Sequence, residues 1–500
     1  MTDSEIIRMI FGFKVRYLRL QNQLSYQELA ARTGMSTSYL NDIEKGKKYP
    51  KPDKITILGQ ALGVDYDEMV STKANKKLQP IVDLLNSRFF KLFPLDEFGI
   101  SPEKLLELFT NTPDRVNAFV STIFRLGRRY HIGEHDFYRE ALRSYQDMYD
   151  NYFPFIEEEA LAFRKKHALP ADFVFGTDFL EEKLKVDYGI SVERRSLPGK
   201  KANEHIRSYY VARKKVLLIH PGLTTKQETF LLAREIGFQA LGLTDRPFVT
   251  RIPKMITFEK QLNNFRASYF AVALLMEENR VVADVKHLAG QASWKPELLL
   301  DLLHKYQVSP EMLIQRLTNI LPKHFGFKEL FFRRISGRKD LKDYRITKEL
   351  HLSRVHKSLN NALDEHYCRR WVGIHSLRNL NIQMATQGEG NDEPMLDAAA
   401  QISSYYQSDG EYLCMSIAKP STYNPQESVS VVLGILITPQ LRETFYFLND
   451  PQLLRKQVNS TCERCPIPDC GARVAPPKVI EKNMMIERLN QALIELEKEV

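Results

Sequence analysis

Along this chain the spacing of apolar positions changes several times, and each change predicts an element. Residues 8–71 carry five short helical patterns between turn signals. Val15 and Leu18 mark the inner face of the first. Ser25 is placed to cap a second, Glu28 three residues on completes a capping box, and Leu29 and Ala30 point inward. Thr33-Gly34-Met35 reads as a tight turn, after which Ser36 caps a third helix carrying Tyr39, Leu40 and Ile43 at helical spacing. Two helices joined by such a turn predict a helix-turn-helix.

Residues 73–168 read as a helical bridge. LQPIVDLLNSRFFKLF, PEKLLELFTN and DRVNAFVSTIFRLGRRY step by three and four, and YREALRSYQDMYDNYFPFIEEEALAFRKKH predicts a long helix broken at Pro154. Its aromatic stripe (Tyr145, Tyr149, Phe153) reads as core. From 169 to 335 the text becomes α+β: KLKVDYGISVERRSL and SYYVARKKVLLIHPGLT predict strands, and the second feeds a helix starting near Thr225. LLLDLLHKYQVSPEMLIQRLTNI resembles a small helix-turn-helix or winged unit, but without a basic patch its expected role is packing. Residues 336–478 predict another α+β domain, with strand-like runs in WVGIHSL, YLCMSIAKPS and SVSVVLGILITPQL and an acidic loop at GEGNDEP. The tail, 479–500, carries Met485, Leu489, Leu493, Leu496 and Val500 at four- and three-residue steps, a stripe suited to docking on the body or to a short two-stranded coil.

Composition narrows the class. At 500 residues, 43% hydrophobic and 27% charged, the chain is multidomain and globular. No basic region followed by an apolar core opens it, and no apolar run approaches the roughly 20 residues of a membrane helix, so a cytoplasmic location is expected. Five cysteines, three of them crowded near the carboxyl end, fit a reducing compartment better than a disulfide framework. The net charge of +9 is spread thinly. Residues 1–70 hold ten Lys/Arg against nine Asp/Glu, yet the basic ones gather in KGKKYPKPDK after the third helix.

Gln27, Leu29-Ala30, Gly34-Met35-Ser36, Ile43-Glu44-Lys45-Gly46, Pro52 and the run Leu58…Ala61-Leu62-Gly63-Val64 together resemble the Xre (lambda-repressor-like) family over about 60 residues. The resemblance implies that the third helix enters the major groove. By matching position, Gln27, Ser36, Thr37, Ser38, Tyr39 and Asn41 would face bases or nearby phosphates, and Arg16, Arg19, Lys45, Lys47 and Lys48 would contact the backbone. The competing reading is a helical protein-interaction module.

Strands followed by TTKQETFLLAREIGFQAL resemble the ImmA/IrrE-type metallopeptidases, except at the ligands. Those enzymes carry His-Glu-x-x-His, two imidazoles on one helical face with a general base between them. Here Arg234 and Phe238 stand at the histidine positions around Glu235, and Asn264 stands where a later helix supplies an acid. A permanent cation repels a divalent metal and a phenyl ring has no lone pair to give it. Hydrolysis is therefore excluded, and Glu235 is expected to pair with Arg234 or Arg266. A former active site holding an Arg suits a small anion or serves as scaffold alone.

Cys462, Cys465 and Cys470 form a C-x2-C-x4-C array among turn-forming Pro and Gly, a candidate zinc or iron–sulfur site. Cys368, His375 or Cys414 would supply a fourth ligand, against the alternative of ordinary buried thiols. Taken in order, the segments are similar to the short-chain fatty acyl-CoA regulator family, most specifically at FRASYFAVALLM, LAREIGF and CERCPIPDCGARVAPP. That resemblance implies a regulator of acyl-CoA metabolism with an acyl-CoA effector, acting as a homodimer on double-stranded operator DNA. A metal or redox sensor working through the cysteines, and an active metalloprotease, are the rival readings.

Overall fold

A computed structural model describes residues 3–71, 95–100, 104, 134–195, 206–248, 257–338, 343–352, 365–387, 395–406, 410–422, 424 and 426–499. The chain divides into two compact units, residues 1–145 with 252–262 and residues 146–251 with 263–500.

In the first unit five helices follow one another: α1 (Asp3–Gln21), α2 (Tyr26–Thr33), α3 (Thr37–Glu44), α4 (Pro52–Leu62) and α5 (Tyr66–Val70). α1 begins ahead of the predicted boundary at 8 and is the one long helix of the five. Both predicted caps form. Ser25 Oγ accepts from the Glu28 amide while Glu28 reaches back to the Ser25 amide, and Ser36 Oγ accepts from the Tyr39 amide. Gly34 ends α2 at φ 65°, a left-handed conformation that costs glycine little and lets α3 start three residues later, at Thr37. Val15, Leu29, Leu40, Ile43, Leu58 and Met69 close the core beneath.

Of the bridge, LQPIVDLLNSRFFKLF, PEKLLELFTN and DRVNAFVSTIFRLGRRY fall almost wholly outside the described residues. Beyond them α6 (Glu134–Met148) and α7 (Pro154–Lys166) are separate helices. Pro154 opens α7 at its first turn, where a missing N–H costs nothing, and Asp150 and Asn151 turn the chain at positive φ. Of the aromatic stripe, Tyr145 and Phe153 are buried but Tyr149 is 44% exposed.

The second unit continues with α8 (Thr177–Tyr188), then β1 (Ser191–Arg194), β2 (Ser208–Val211) and β3 (Val216–Ile219) in the order β1-β3-β2, β1 parallel and β2 antiparallel to β3. Two sequence expectations change here. KLKVDY is the end of a helix closed by Gly189, so among the described residues of that run only four are strand. SYYVARKKVLLI is a pair of short strands around a 3-10 turn. β3 nevertheless leads into α9 (Thr225–Ala240), which Thr224 and Gln227 start with a capping box.

α10 (Phe258–Leu275), α11 (Glu278–Ala289), α12 (Pro296–Tyr306) and α13 (Pro310–Phe325) follow. Arg316 on α13 is fully buried; its guanidinium meets Glu157 of α7 at 2.5 and 3.0 Å and the Met276 carbonyl at 3.1 Å, while Tyr269 of α10 donates to the same carboxylate. VSPEMLIQRL is thus a packing element, as its lack of basic charge implied.

The last domain is a six-stranded sheet, β5 (Tyr344–His351), β4 (Leu330–Arg338), β8 (Glu427–Leu436), β7 (Glu411–Pro420), β6 (Asp397–Tyr405) and β9 (Leu454–Val458) in that order, antiparallel except for β6 with β9. WVGIHSL, expected as strand, opens α14 (Val372–Gln387). Ile374, Leu377 and Leu380 repeat every three residues, which puts them on one helical face over the sheet core with Phe331 and Val432. A short α15 (Pro439–Thr444) and the terminal α16 (Lys478–Glu499) complete the described elements, and GEGNDEP lies outside the described residues. Among the described residues no helix is long and apolar enough to cross a membrane.

Candidate functional site

The start of α3 is built to be read from outside. Leu40 and Ile43 anchor the helix in the core, which turns Gln27, Ser36, Thr37 and Ser38 to solvent and leaves Tyr39 and Asn41 half-buried. Lys45, Lys47 and Lys48 are exposed just beyond its end, and Arg16 is half-buried. Lys48 reaches Asp42 at 2.8 Å, a surface pair of small energetic weight. Lys54, undistinguished within the basic patch of the sequence, places Nζ 4.5 Å over the Tyr39 ring and brings one more cation to this face.

Arg19 is a correction. It was expected on a phosphate, but it is 7% exposed and chelated by Glu44, with Nε–Oε1 at 2.6 Å and Nη2–Oε2 at 3.0 Å. Its third donor goes to the Leu24 carbonyl, and Tyr26 donates to Glu44 at 2.7 Å. Burial and that carboxylate push the Tyr26 phenol up to about 12. One buried acid therefore ties α1, α2 and α3 together. Lys14 is a second buried cation the sequence did not flag: Nζ donates to the Glu68 and Ser71 carbonyls at the end of α5. Loss of hydration lowers its pKa.

In the second unit the three positions that the ImmA/IrrE resemblance assigns to ligands, Arg234, Phe238 and Asn264, come together. Arg234 Nη1 lies 3.5 Å from Asn264 Oδ1 and Nη2 lies 3.4 Å from Ser208 Oγ, with the guanidinium 5.9 Å from the Phe238 ring. Gly237 permits the approach of α10, since a Cβ there would sit 2.9 Å from Phe270 Cδ1 and 3.0 Å from the Ala267 carbonyl. Burial pushes the Arg234 guanidinium down to about 10, which still leaves it cationic at neutral pH.

Glu235 pairs with neither expected base. Its partner is Arg246, bidentate at 2.8 and 2.7 Å, with both side chains 4% exposed. Gln239 donates a third bond, and the Arg246 guanidinium stacks 4.1 Å from Phe238 and 4.3 Å from Tyr210. Sequence reasoning missed Arg246 because it lies in a loop beyond the helix, with no periodic spacing to point to it.

The cysteine array gains one partner and loses two. Cys368, Cys462, Cys465 and Cys470 line one small cavity with Arg369 and Arg473. Arg473 donates to the carbonyls of Cys462, Cys465 and Ile467 and so holds the loop's curve. Cys368 N bonds Ser460 O, and Cys462 N bonds His366 O, which brings the two segments side by side. Burial raises the Cys368 thiol, and neighbouring Cys465 and Cys462 add to the shift. Cys414 sits instead on β7, its thiol pushed up to about 11 by burial, and His375 lies near Asp397 and Lys456. Among the described residues no group of three or more His, Cys, Asp or Glu is arranged to hold a metal ion.

A basic cluster also stands in this unit. Glu311, half-buried, meets Lys348 at 3.1 Å and Arg334 at 3.4 Å. Burial alone would raise its carboxyl, but those two cations hold it low. Burial lowers Lys419 nearby, and Arg334, Arg207 and Lys226 push it further. Arg207 and Lys419 also act on Glu311 electrostatically, so one acid faces a surplus of positive charge.

A five-helix core with a capped, solvent-facing α3 after a glycine turn defines a DNA-binding helix-turn-helix protein. Residues 15–69 match the family described as Helix-turn-helix, and residues 186–318 match the IrrE N-terminal-like domain. Over 65 residues, 13% of this chain, it is 35% identical to the HTH-type transcriptional regulator y4dJ of Sinorhizobium fredii, covering 84% of that protein. It is equally identical over 65 residues to the control protein C.BamHI of Bacillus amyloliquefaciens, covering 80% of it. A solved Mycobacterium tuberculosis transcriptional regulator is 16% identical with a TM-score of 0.46, over 68% of this chain and 94% of that one. The chain belongs to the helix-turn-helix transcriptional regulators, and it carries an IrrE-like domain behind its DNA-binding head.

Proposed function

We propose that this chain binds operator DNA as a cytoplasmic homodimer and regulates short-chain acyl-CoA and fatty-acid metabolism in response to an acyl-CoA effector. The observation that carries the reading is the exposed start of α3, with Thr37, Ser38, Tyr39 and Asn41 flanked by Lys45, Lys47, Lys48 and Lys54. Short polar side chains read base edges, and lysines neutralise phosphates. One such head covers too little DNA for specific recognition, so paired half-sites require two. The working domains are 8–71, 73–168, 169–335, 336–478 and 479–500.

The IrrE-like domain does no hydrolysis in this reading. A buried cation at Arg234 and an apolar ring at Phe238 oppose zinc, and Glu235 is committed to Arg246 and so is not free to activate water. What supports a CoA ester is the basic cluster around Glu311, whose surplus of positive charge suits phosphate groups. An effector acts only if it favours one DNA-binding state over another. Fluorescence anisotropy on the chain's own upstream DNA, titrated with acetyl-, propionyl- and butyryl-CoA at fixed salt, tests it. Specific binding shifted by one ester is expected; specific binding indifferent to all three removes the effector, and no specific binding removes the regulator.

A second reading rests on residue type and a shared lining, since among the described residues the four cysteines are not gathered as ligands: Cys368, Cys462, Cys465 and Cys470 would hold zinc or an iron–sulfur cluster after the loop closes around it. Four thiolates match both donor sets. Stoichiometric metal in the purified chain, lost in Cys465→Ser, is expected; its absence from protein prepared with zinc and iron under reducing conditions refutes it.

A further inference from the structure

Among the described residues nothing covers the apolar side of α16. Every side chain from Glu481 to Glu495 is exposed, including Met485 at 64%, Ile486 at 45%, Leu489 at 54% and Leu493 at 58%. At 100° per residue these four apolar side chains fall on one stripe, whose amino-terminal end carries Lys482, with Glu487, Arg488 and Glu495 away from it. Most helical stability in proteins comes from packing of an amphipathic face, and an uncovered stripe supplies none of it. Its persistence therefore calls for something to cover the stripe.

We infer that the cover is α16 of a second copy, lying antiparallel. The sequence is self-complementary about Gln491: Leu489 and Leu493 stand two residues to either side, and Ile486 and Leu496 stand five. The charges divide the same way. Residues 478–488 hold three basic against two acidic groups, net +1, and residues 489–499 hold one basic against three acidic, net −2. Antiparallel pairing sets the positive half of each helix against the negative half of the other, whereas parallel pairing stacks like on like. This rests on the homodimer proposed above and identifies the surface that forms it.

Sedimentation velocity of the full chain over a wide concentration range, without DNA, separates the outcomes. A dimer is expected whose dissociation constant rises at least about 100-fold in Leu489→Glu with Leu493→Glu, rises less in the helix-favouring Leu489→Ala with Leu493→Ala, and holds in Gln491→Glu on the polar face. Urea unfolding of the rest of the chain should be unchanged, because among the described residues the stripe covers nothing within its own copy. Paired spin labels at Lys478, carried on an unnatural amino acid, should then lie about 40 Å apart along the two axes, against about 10 Å for parallel helices. A monomer at every concentration overturns both this surface and the dimer. A dimer indifferent to the double variants overturns the surface and leaves the dimer, and a short label distance overturns the antiparallel arrangement.

Discussion

Replacing Glu235 by Gln keeps the shape of α9 and removes one charge. In the folded chain Glu235 accepts two bonds from Arg246 and one from Gln239, and both members of the pair are 4% exposed. Gln can accept one of the guanidinium's bonds but cannot balance its charge, so Arg246 is left buried and uncompensated. Breaking a buried pair from one side costs about 3–5 kcal/mol. Stacking on Phe238 and Tyr210 is present before and after the substitution, so it cancels and the expected loss stays at about 3–5 kcal/mol. Removing both charges, as Glu235→Leu with Arg246→Met, should cost far less or even stabilise, because no ion then needs solvation. Native-state hydrogen exchange at the α9 amides reads the change directly. Glu235→Gln within about 0.5 kcal/mol of the parent would refute the argument, and loss of a peptidase activity in that variant would restore Glu235 as a general base.

Four further outcomes follow from the same structure. Asn41→Ala or Ser38→Ala should relax base preference by about 1–3 kcal/mol for each base-edge hydrogen bond removed, read by competition between operator variants. Lys47→Ala should weaken all sequences alike and reduce the salt slope by about one, and identical behaviour of the two kinds of variant would misplace the reading helix. Arg19→Ala should destabilise the head by about 3–5 kcal/mol, because it strands Glu44; a variant of unchanged melting with reduced DNA affinity would return Arg19 to the phosphate backbone. His375 has its pKa lowered by burial and by Lys456, so between that value and about 6.5 the unfolded chain binds more protons and stability rises with pH. The second unit should therefore weaken on acidification below about pH 6.5, His375→Asn should flatten that dependence in urea unfolding, and an unchanged pH profile would show that His375 does not set it.

The head was the most legible part of the chain because its determinants are local. A cap, a capping box, a left-handed glycine and a three-and-four spacing each act within one or two turns, and Ser25, Glu28, Gly34 and Ser36 behave as their neighbours dictate. Arg19 failed as a prediction for the opposite reason. Its fate is set by Glu44, 25 residues away, and a surface cation and a buried one look alike in sequence. The run WVGIHSL failed because short apolar stretches satisfy both periods until a neighbouring surface selects one; the sheet beneath Gly373 selected the helix.

At Arg234 and Phe238, the positions the ImmA/IrrE resemblance assigns to ligands, the residue types alone argue against zinc, since neither side chain offers it a free lone pair. Their convergence with Asn264, and the choice of Arg246 for Glu235, needed the crossing of α9 and α10 and a loop of no regular period. The cysteines divide likewise. Cys462, Cys465 and Cys470 lie within reach of one another by chain length, but whether Cys368 or Cys414 joins them depends on which segment the sheet carries past the loop. Chemical capacity and local conformation belong to the sequence by itself, because both act over a few bonds. Pairing and burial belong to the tertiary structure, because only it brings distant charges into a common low-dielectric space.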